Sequence, residues 1–178
     1  MSTTNVNEQR MARVVDQEEI RQVIYQYCRG IDRRQFDIVR RCYHDDGTDD
    51  HGNYRGGVDG FIDYATKELA IWETTTHFIG NVLIEPVGDQ ARAESYAVAT
   101  HRLAARGDRP ARDFVAAVRY VDDFERRDGE WRIATRVCLV EWTRTDPVEA
   151  KGWTRPDSYP QPRPDRQDPV FAESLRAL

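Results

Sequence analysis

The spacing of apolar residues changes once along the chain, near residue 74. Before that point apolar residues recur every three or four positions, which is typical of one buried face of a helix. Three such stretches predict helices that span about 16–30, 36–43 and 58–72. In the first helix, Asp16 fits an N-cap and Gly30 marks a loss of regularity. Its stripe consists of Ile20, Val23, Ile24, Tyr27, Cys28 and Ile31.

After residue 74 the pattern is typical of β-strands, with short turns between them. We expect four long strands at Thr74–Glu85, Gln90–Leu103, Asp113–Arg126 and Trp131–Arg144, and a short extended piece at 48–54. The second strand alternates strictly, and its small residues on one face indicate curvature. Helices followed by an antiparallel meander predict an α+β fold. We expect a cone: a curved antiparallel sheet, covered by three N-terminal helices, with an interior pocket.

The two ends of the chain differ from the middle. Residues 1–14 are polar and predict a loose N-terminal leader, and 15–145 form the predicted domain. Residues 146–178 hold six of the eight prolines and predict an extended C-terminal arm. Because this arm carries Trp153, Tyr159 and Phe171, we expect it to pack on the domain or on a neighbouring subunit.

Composition narrows the class of protein. The 178 residues are 39% hydrophobic and 32% charged, with a net charge of -5, which argues against a nucleic-acid-binding face. There is no apolar run of membrane-spanning length and no secretory signal. Three cysteines without metal-ligand spacing suggest buried thiols in a reducing compartment. We therefore expect a cytoplasmic protein that binds neither nucleic acid nor membranes.

Few side chains are candidates for a catalytic role, and Asp32 is the first of them. It lies at the edge of the first helical stripe, where a carboxylate is costly unless it is paired. It is either a capping residue, satisfied by Arg33, Arg34 or a backbone N–H, or part of a functional site. His77 and His101 each fall on a predicted strand among apolar neighbours. Alone each is typical of a core histidine, but with Asp32 they suggest acid–base chemistry.

The other histidines suggest less. His44 lies in a polar turn, so we expect it at the surface. Asp49, Asp50 and His51 lack a second ligand cluster at a useful spacing, so no metal site is expected.

The chain resembles the nuclear transport factor 2-like superfamily, and within it the SnoaL-like, scytalone dehydratase-like branch. The resemblance covers about residues 15–145 and includes the order of elements. It is carried by Tyr27-Cys-Arg-Gly-Ile-Asp-Arg-Arg34, Asp49-Asp-His-Gly-Asn-Tyr-Arg-Gly56 and Glu125-Arg-Arg-Asp-Gly-Glu-Trp-Arg-Ile133. It implies a cone-shaped, cystatin-like α+β barrel with a pocket between helices and sheet.

The resemblance also implies roles for particular residues. Asp32 and His77 fall where dehydratases of this family carry a buried aspartate and the catalytic histidine. His101 and Tyr27 fall on further catalytic positions, and Arg136 is our choice for a pocket arginine, with Arg144 as the alternative. For substrate binding we expect His51, Tyr54, Trp72 and Tyr120.

These roles predict a cofactor-independent lyase or isomerase, with no metal. His77 would remove a proton while Asp32 orients it, and the substrate would be a small apolar ring compound such as a steroid, polyketide or aromatic intermediate. The alternative is a non-catalytic small-molecule-binding or accessory protein on the same fold. Because both faces of the fourth strand are largely apolar, we expect a homo-oligomer, with a trimer favoured over a dimer.

Overall fold

The structure is a computed structural model that describes residues 3–148 and 156–171. In these ranges the helices are α1 (Thr3–Asp32), α2 (Phe36–Arg41) and α3 (Val58–Leu69). The strands are β1 (Tyr43–Asp50), β2 (Arg55–Gly57), β3 (Thr74–Val87), β4 (Gln90–Leu103), β5 (Arg112–Arg127) and β6 (Glu130–Pro147). A short 3₁₀ turn at Pro169–Phe171 ends the described arm. Among the described residues, no helix combines the length and the apolarity that crossing a membrane requires.

The six strands form one sheet in the order β2-β1-β6-β5-β4-β3. Neighbouring strands are antiparallel except β1 and β6, which run parallel. Register shifts interrupt the β3–β4, β5–β6 and β1–β6 pairings, and such bulges bend strands. The sheet is therefore curved but not closed, and β2 and β3 are its edges. The predicted α+β cone is confirmed.

The core lies between the helices and the inward face of the sheet. On β4 the alternation holds: Ala91, Ala93, Ser95, Ala97 and Ala99 are all buried. The apolar stripe of α1 and the buried face of α3 pack into the same cluster. Burying a large aliphatic or aromatic side chain contributes about 1.5–3 kcal/mol, so this interface holds the helices in place.

The first helix is longer than the sequence predicts. It begins at Thr3, so the expected loose leader is helical over most of its length, and Asp16 is not an N-cap. The Asp16 carboxylate instead accepts hydrogen bonds from Arg126 Nη1 at 2.6 Å and Trp131 Nε1 at 3.0 Å. Gly30 does not break the helix either. A Cβ at this position would lie 2.8 Å from Val39 Cγ2, so glycine permits the close packing of α1 on α2.

Two expectations about the segment after α2 are wrong. Tyr43 does not continue the helix but opens β1, because it pairs with Ile133 of β6 and donates a hydrogen bond to Asp49. His44 is not at the surface. It is buried, and its Nε2 lies 2.8 Å from the carbonyl oxygen of Glu125.

The described part of the C-terminal arm, residues 156–171, lies along the helices of its own chain. Asp168 pairs with Arg33 at 3.3 Å, and Arg166 pairs with Asp37 at 2.9 Å. The guanidinium of Arg29 lies 4.9 Å from the ring centroid of Phe171. Trp153 lies outside the described residues, and Tyr159 is exposed.

Candidate active site

Asp32 and His77 are in direct contact. The end of α1 brings the Asp32 carboxylate against β3, where His77 Nδ1 lies 2.7 Å from Oδ1. Thr75 Oγ1 donates to Oδ1 at 3.1 Å, and the backbone N–H of His77 donates to Oδ2 at 2.8 Å. Thr75 and His77 reach the same carboxylate because alternate residues of a strand share one face. The Asp32 and His77 side chains are only 12% and 8% exposed.

The charge on Asp32 determines which ring nitrogen of His77 carries a proton. Burial acts to raise the pKa of Asp32, but hydrogen bonds from His77 and Thr75 outweigh it and hold the pKa below its usual value. Asp32 is therefore ionised at neutral pH, and an ionised carboxylate only accepts hydrogen bonds. We infer that His77 Nδ1 carries a proton, so the neutral form of the ring has its free lone pair on Nε2.

His101 lies beside this pair. It faces Thr75 across the β3–β4 register, and its ring centroid lies 5.6 Å from that of His77. Trp72 and Phe114 pack on it at 5.2 and 5.9 Å. Burial lowers the pKa of His101 to about 4, and positive charge on a protonated His77 acts in the same direction. Its Nδ1 is buried and has no hydrogen-bond partner among the described residues. His101 is thus a neutral imidazole at neutral pH.

A cavity of about 400 Å³ opens next to the Asp32–His77 pair. It lies between α1, β3 and the C-terminal arm, which contributes Val170. Its wall is mostly apolar, with Asp32, His77 and two arginines of α1 as the polar groups. The other residues lining it are Tyr25, Cys28, Arg29, Arg33, Phe78 and Ile79.

Arg136 does not line this cavity, although the sequence predicts a pocket arginine there. It is fully buried, and its Nε and Nη2 each donate to the Asp122 carboxylate at 2.7 Å. Its guanidinium carbon lies 4.0 Å from the Tyr27 ring centroid and 4.4 Å from that of Tyr120. The alternative, Arg144, is exposed and pairs with Asp146.

His51 and Tyr54 lie in this second neighbourhood. His51 Nδ1 is 2.6 Å from Asp49 Oδ1, and the His51 ring packs on Phe61 at 4.9 Å. Tyr54 donates from its hydroxyl to the carbonyl oxygen of Gly57 at 2.6 Å. Within residues 3–148 and 156–171, no three metal-ligating side chains converge on one point.

The predicted site residues therefore fall into two groups. Asp32, His77, His101 and Trp72 form one group, and Tyr27, His51, Tyr54, Tyr120 and Arg136 form the other, around Phe61 and Asp122. Of the first group, Asp32 and His77 line the cavity described above, and His101 and Trp72 are not among its lining residues. The roles of all nine residues stay predictions.

Sequence reasoning missed most of the residues that line the cavity, and it also missed Thr75 and Asp122. The sequence does contain a signal for Thr75, since it lies two residues before His77 on a predicted strand and therefore shares its face. Asp122 also has one, as an acid at an inward position of β5, two residues after Tyr120. Val170 has none, because nothing in a Pro-rich segment fixes where it packs.

Comparisons with known proteins identify the family to which this chain belongs. Residues 12–137 match the SnoaL-like domain family, and the chain belongs to that family. An uncharacterized protein of Mycobacterium tuberculosis is 30% identical over 131 residues, which cover 71% of this chain and 86% of the relative. The predicted superfamily is thereby confirmed.

Two solved structures share the fold at low identity. The hexachlorocyclohexane dehydrochlorinase LinA-type3 of Novosphingobium barchaimii is 19% identical, with a TM-score of 0.69 over 82% of this chain and 99% of that chain. A protein of Novosphingobium aromaticivorans with the provisional name scytalone dehydratase is 18% identical, with a TM-score of 0.66 over 84% of this chain and 97% of that chain. At these identities the likeness concerns the fold alone.

Proposed function

We propose that this protein is a cofactor-independent lyase or isomerase, which starts elimination or a proton shift by removing a proton from a small apolar ring compound. One observation carries the proposal. A buried carboxylate holds His77 by its Nδ1, at the wall of a cavity, and leaves Nε2 without a hydrogen-bond partner among the described residues. A carboxylate–imidazole pair of this kind is the usual arrangement of a protein base.

The first step is proton removal by His77 Nε2 from a carbon next to a carbonyl or leaving group. The imidazolium that forms is stabilised by Asp32, which is already ionised. In an elimination the C–H electron pair forms the new double bond as the leaving group departs. In an isomerisation the proton returns at another carbon. A positioned acid or base of this kind contributes about 10²–10⁴-fold to the rate.

In this proposal His101 assists the reaction as a neutral hydrogen-bond donor. Because its pKa lies near 4, it is not a cationic acid at neutral pH, but its N–H can donate a hydrogen bond to a departing hydroxyl or to a developing enolate oxygen. Its contacts with Trp72 and Phe114 fix the ring beside His77.

The size and lining of the cavity support a compact substrate. Pockets for small molecules span about 300–1,000 Å³ and are mostly apolar, and this one is about 400 Å³. Steroids, polyketides and aromatic intermediates are the classes we propose. The names of the structural neighbours, a dehydrochlorinase and a provisional dehydratase, support elimination as the reaction.

The proposal is tested with a panel of cyclic β-hydroxy and β-halo carbonyl compounds in D₂O, followed by proton NMR. We expect elimination products, or deuterium at the acidic carbon, with the wild-type protein for at least one ring class. His77→Gln keeps an N–H that can reach Asp32 but removes the base, so both signals should disappear. His44→Gln, which changes a buried histidine outside the cavity, serves as the matched control and should retain them.

Two outcomes would overturn the proposal. One is equal deuterium incorporation by wild type and His77→Gln. The other is tight binding of a ring compound without exchange or turnover, which would make the protein a non-catalytic binder.

A further inference from the structure

The wall that α1 contributes to the cavity carries two cations beside the proposed base. Five residues of one helical stripe line the cavity: Tyr25, Cys28, Arg29, Asp32 and Arg33. Residues three and four apart on a helix have Cβ atoms about 5–6 Å apart, so Arg29 neighbours both Asp32 and Arg33. A ligand that reaches the Asp32–His77 pair therefore lies within reach of guanidinium groups.

The positive charge of Arg29 is local and unpaired. The whole chain has a net charge of -5, so these cations do not belong to a generally basic protein. Arg21 of the same helix is neutralised by Glu18 at 2.7 Å. Arg29 forms no ion pair with any residue in 3–148 or 156–171, and its guanidinium carbon lies 4.9 Å from the Phe171 ring centroid. A contact with a ring face leaves the N–H edge of a guanidinium free to bind an anion.

Arg33 is paired, but only in part. Its Nε lies 3.3 Å from the Asp168 carboxylate, and its Nη1 lies 3.4 Å from the backbone oxygen of Asp32. A guanidinium has five N–H donors, so Arg33 keeps donors for a further acceptor. Asp168 is thus a carboxylate of the C-terminal arm already held at this arginine, next to the cavity.

The charges around the cavity favour a ligand with a single negative charge. Arg29 and Arg33 together exceed Asp168 by one positive charge. Asp32 also lines the cavity and is ionised, so a dianion meets more repulsion there than a monoanion does. The planar fork of a guanidinium matches the two oxygens of a carboxylate, and such pairs are the strong, directional kind.

We propose that the ring compound bound in this cavity carries one carboxylate group, which Arg29 binds with the assistance of Arg33. This inference rests on the proposed function, because it names the substrate class of the same cavity. The ring lies against the apolar part of the wall, which Phe78, Ile79 and Val170 supply. The substrate class is therefore cyclic monocarboxylic acids, and Arg29 is the residue that selects them over neutral rings.

Arg29 and Arg33 also hold the C-terminal arm, and the two roles have different consequences. Loss of an arm contact disturbs the apolar wall through Val170, so it weakens the binding of every ring compound. Loss of an anion site weakens the binding of acids alone. An acid and its amide have nearly the same shape, so comparing them isolates the effect of the charge.

The test is isothermal titration calorimetry of the full chain at pH 7 with two matched pairs of ligands. These are cyclohexanecarboxylate with its amide and 2-naphthoate with its amide. We expect at least one acid to bind at least about tenfold more tightly than its amide at about 0.02 M salt. The preference should shrink at about 0.5 M salt, because Arg29 is exposed and salt screens exposed charges.

Variants of α1 assign the preference to its residue. Arg29→Gln should bring the affinity of the acid close to that of the amide and leave the affinity of the amide unchanged. Arg29→Lys keeps the charge but loses the planar fork, so it should retain part of the preference. Arg21→Gln is the matched control, because it removes an arginine of the same helix that does not line the cavity. It should leave both affinities unchanged.

Three results would overturn the proposal. The first is equal affinity of each acid and its amide for the wild-type protein, or no binding of either acid, and it needs no variant. The second is an undiminished preference in Arg29→Gln. The third is an equal loss of acid and amide affinity in folded Arg29→Gln, because the arginine would then only hold the arm.

The binding experiment fails separately from the proposed function because it requires no turnover. An Arg29-dependent preference for acids without any deuterium exchange would keep this inference and overturn the lyase or isomerase. Deuterium exchange that depends on His77, without a preference for acids, would do the reverse.

Discussion

Replacing Asp32 by asparagine removes the charge that organises the candidate active site while keeping its size. The carboxylate accepts three hydrogen bonds, from Thr75 Oγ1, His77 N and His77 Nδ1. An amide has one acceptor oxygen, and its NH₂ group would face at least one of these donors. Hydrogen bonds to a charged group contribute about 1.5–3 kcal/mol each. Allowing for partial re-pairing, we expect Asp32→Asn to lower the free energy of unfolding by about 3 kcal/mol at pH 7.

The pH dependence makes this prediction specific. The pKa of Asp32 is lowered in the folded state, so its stabilising contribution is present above the unfolded pKa of about 4 and is lost as the pH falls through the lower folded value. Urea denaturation at pH 7 and pH 3 measures it. The difference between wild type and Asp32→Asn should be large at pH 7 and shrink at pH 3.

Asp59→Asn is the control for removing a carboxylate. Its side chain is 83% exposed and pairs with Arg40, so we expect a change within about 0.5 kcal/mol. The reasoning is refuted if Asp32→Asn is no more destabilising than Asp59→Asn at pH 7. A difference of the same size at pH 3 would also refute it, because protonation would then not matter.

Three further predictions concern His101, the arm and assembly. The pKa of His101 is about 4 in the folded state and about 6.5 when unfolded, so the unfolded chain binds more protons and stability should rise from pH 4 to 6.5. Urea denaturation should show a shallower rise for His101→Phe, and an unchanged slope would contradict a neutral buried imidazole. Asp168 holds the arm through Arg33 and the backbone N–H groups of Arg163 and Val170, so Asp168→Asn should speed proteolysis of the arm relative to an Asp157→Asn control. Equal cleavage would contradict this anchoring. Phe78, Val98 and Trp142 form an exposed row across the outer face of the sheet, so we expect micromolar sedimentation to show a homo-oligomer, with a trimer favoured, that Trp142→Glu weakens. A wild-type monomer of 20.7 kDa would contradict this expectation.

Much of the fold can be predicted from the sequence because apolar residues recur at regular spacing on the buried faces of the helices and strands. The alternation of β4 gives its bounds without error, and the Asp128-Gly129 turn has the positive φ values that its hairpin requires. Tyr43 is misassigned because helical spacing continues past α2, while the pairing with β6 that makes it a strand residue is a long-range contact. Pro86 is expected in a turn but lies within β3, which an edge strand tolerates.

The contact of Asp32 with His77 follows from a family resemblance together with the rule that a buried carboxylate needs a partner. The position of Arg136 does not follow, because the choice between the cavity and Asp122 depends on which strands are neighbours in space.

The central claim is that Asp32 holds the proton of His77 on Nδ1 and leaves Nε2 free to act as a base. Long-range ¹H–¹⁵N NMR of the histidine rings at pH 7 measures this directly, with His77→Gln used to assign the signals. The account predicts a protonated Nδ1 and an unprotonated Nε2 for His77 in the wild type, and a loss of this preference in Asp32→Asn. A wild-type His77 with its proton on Nε2 and a bare Nδ1 would contradict the account.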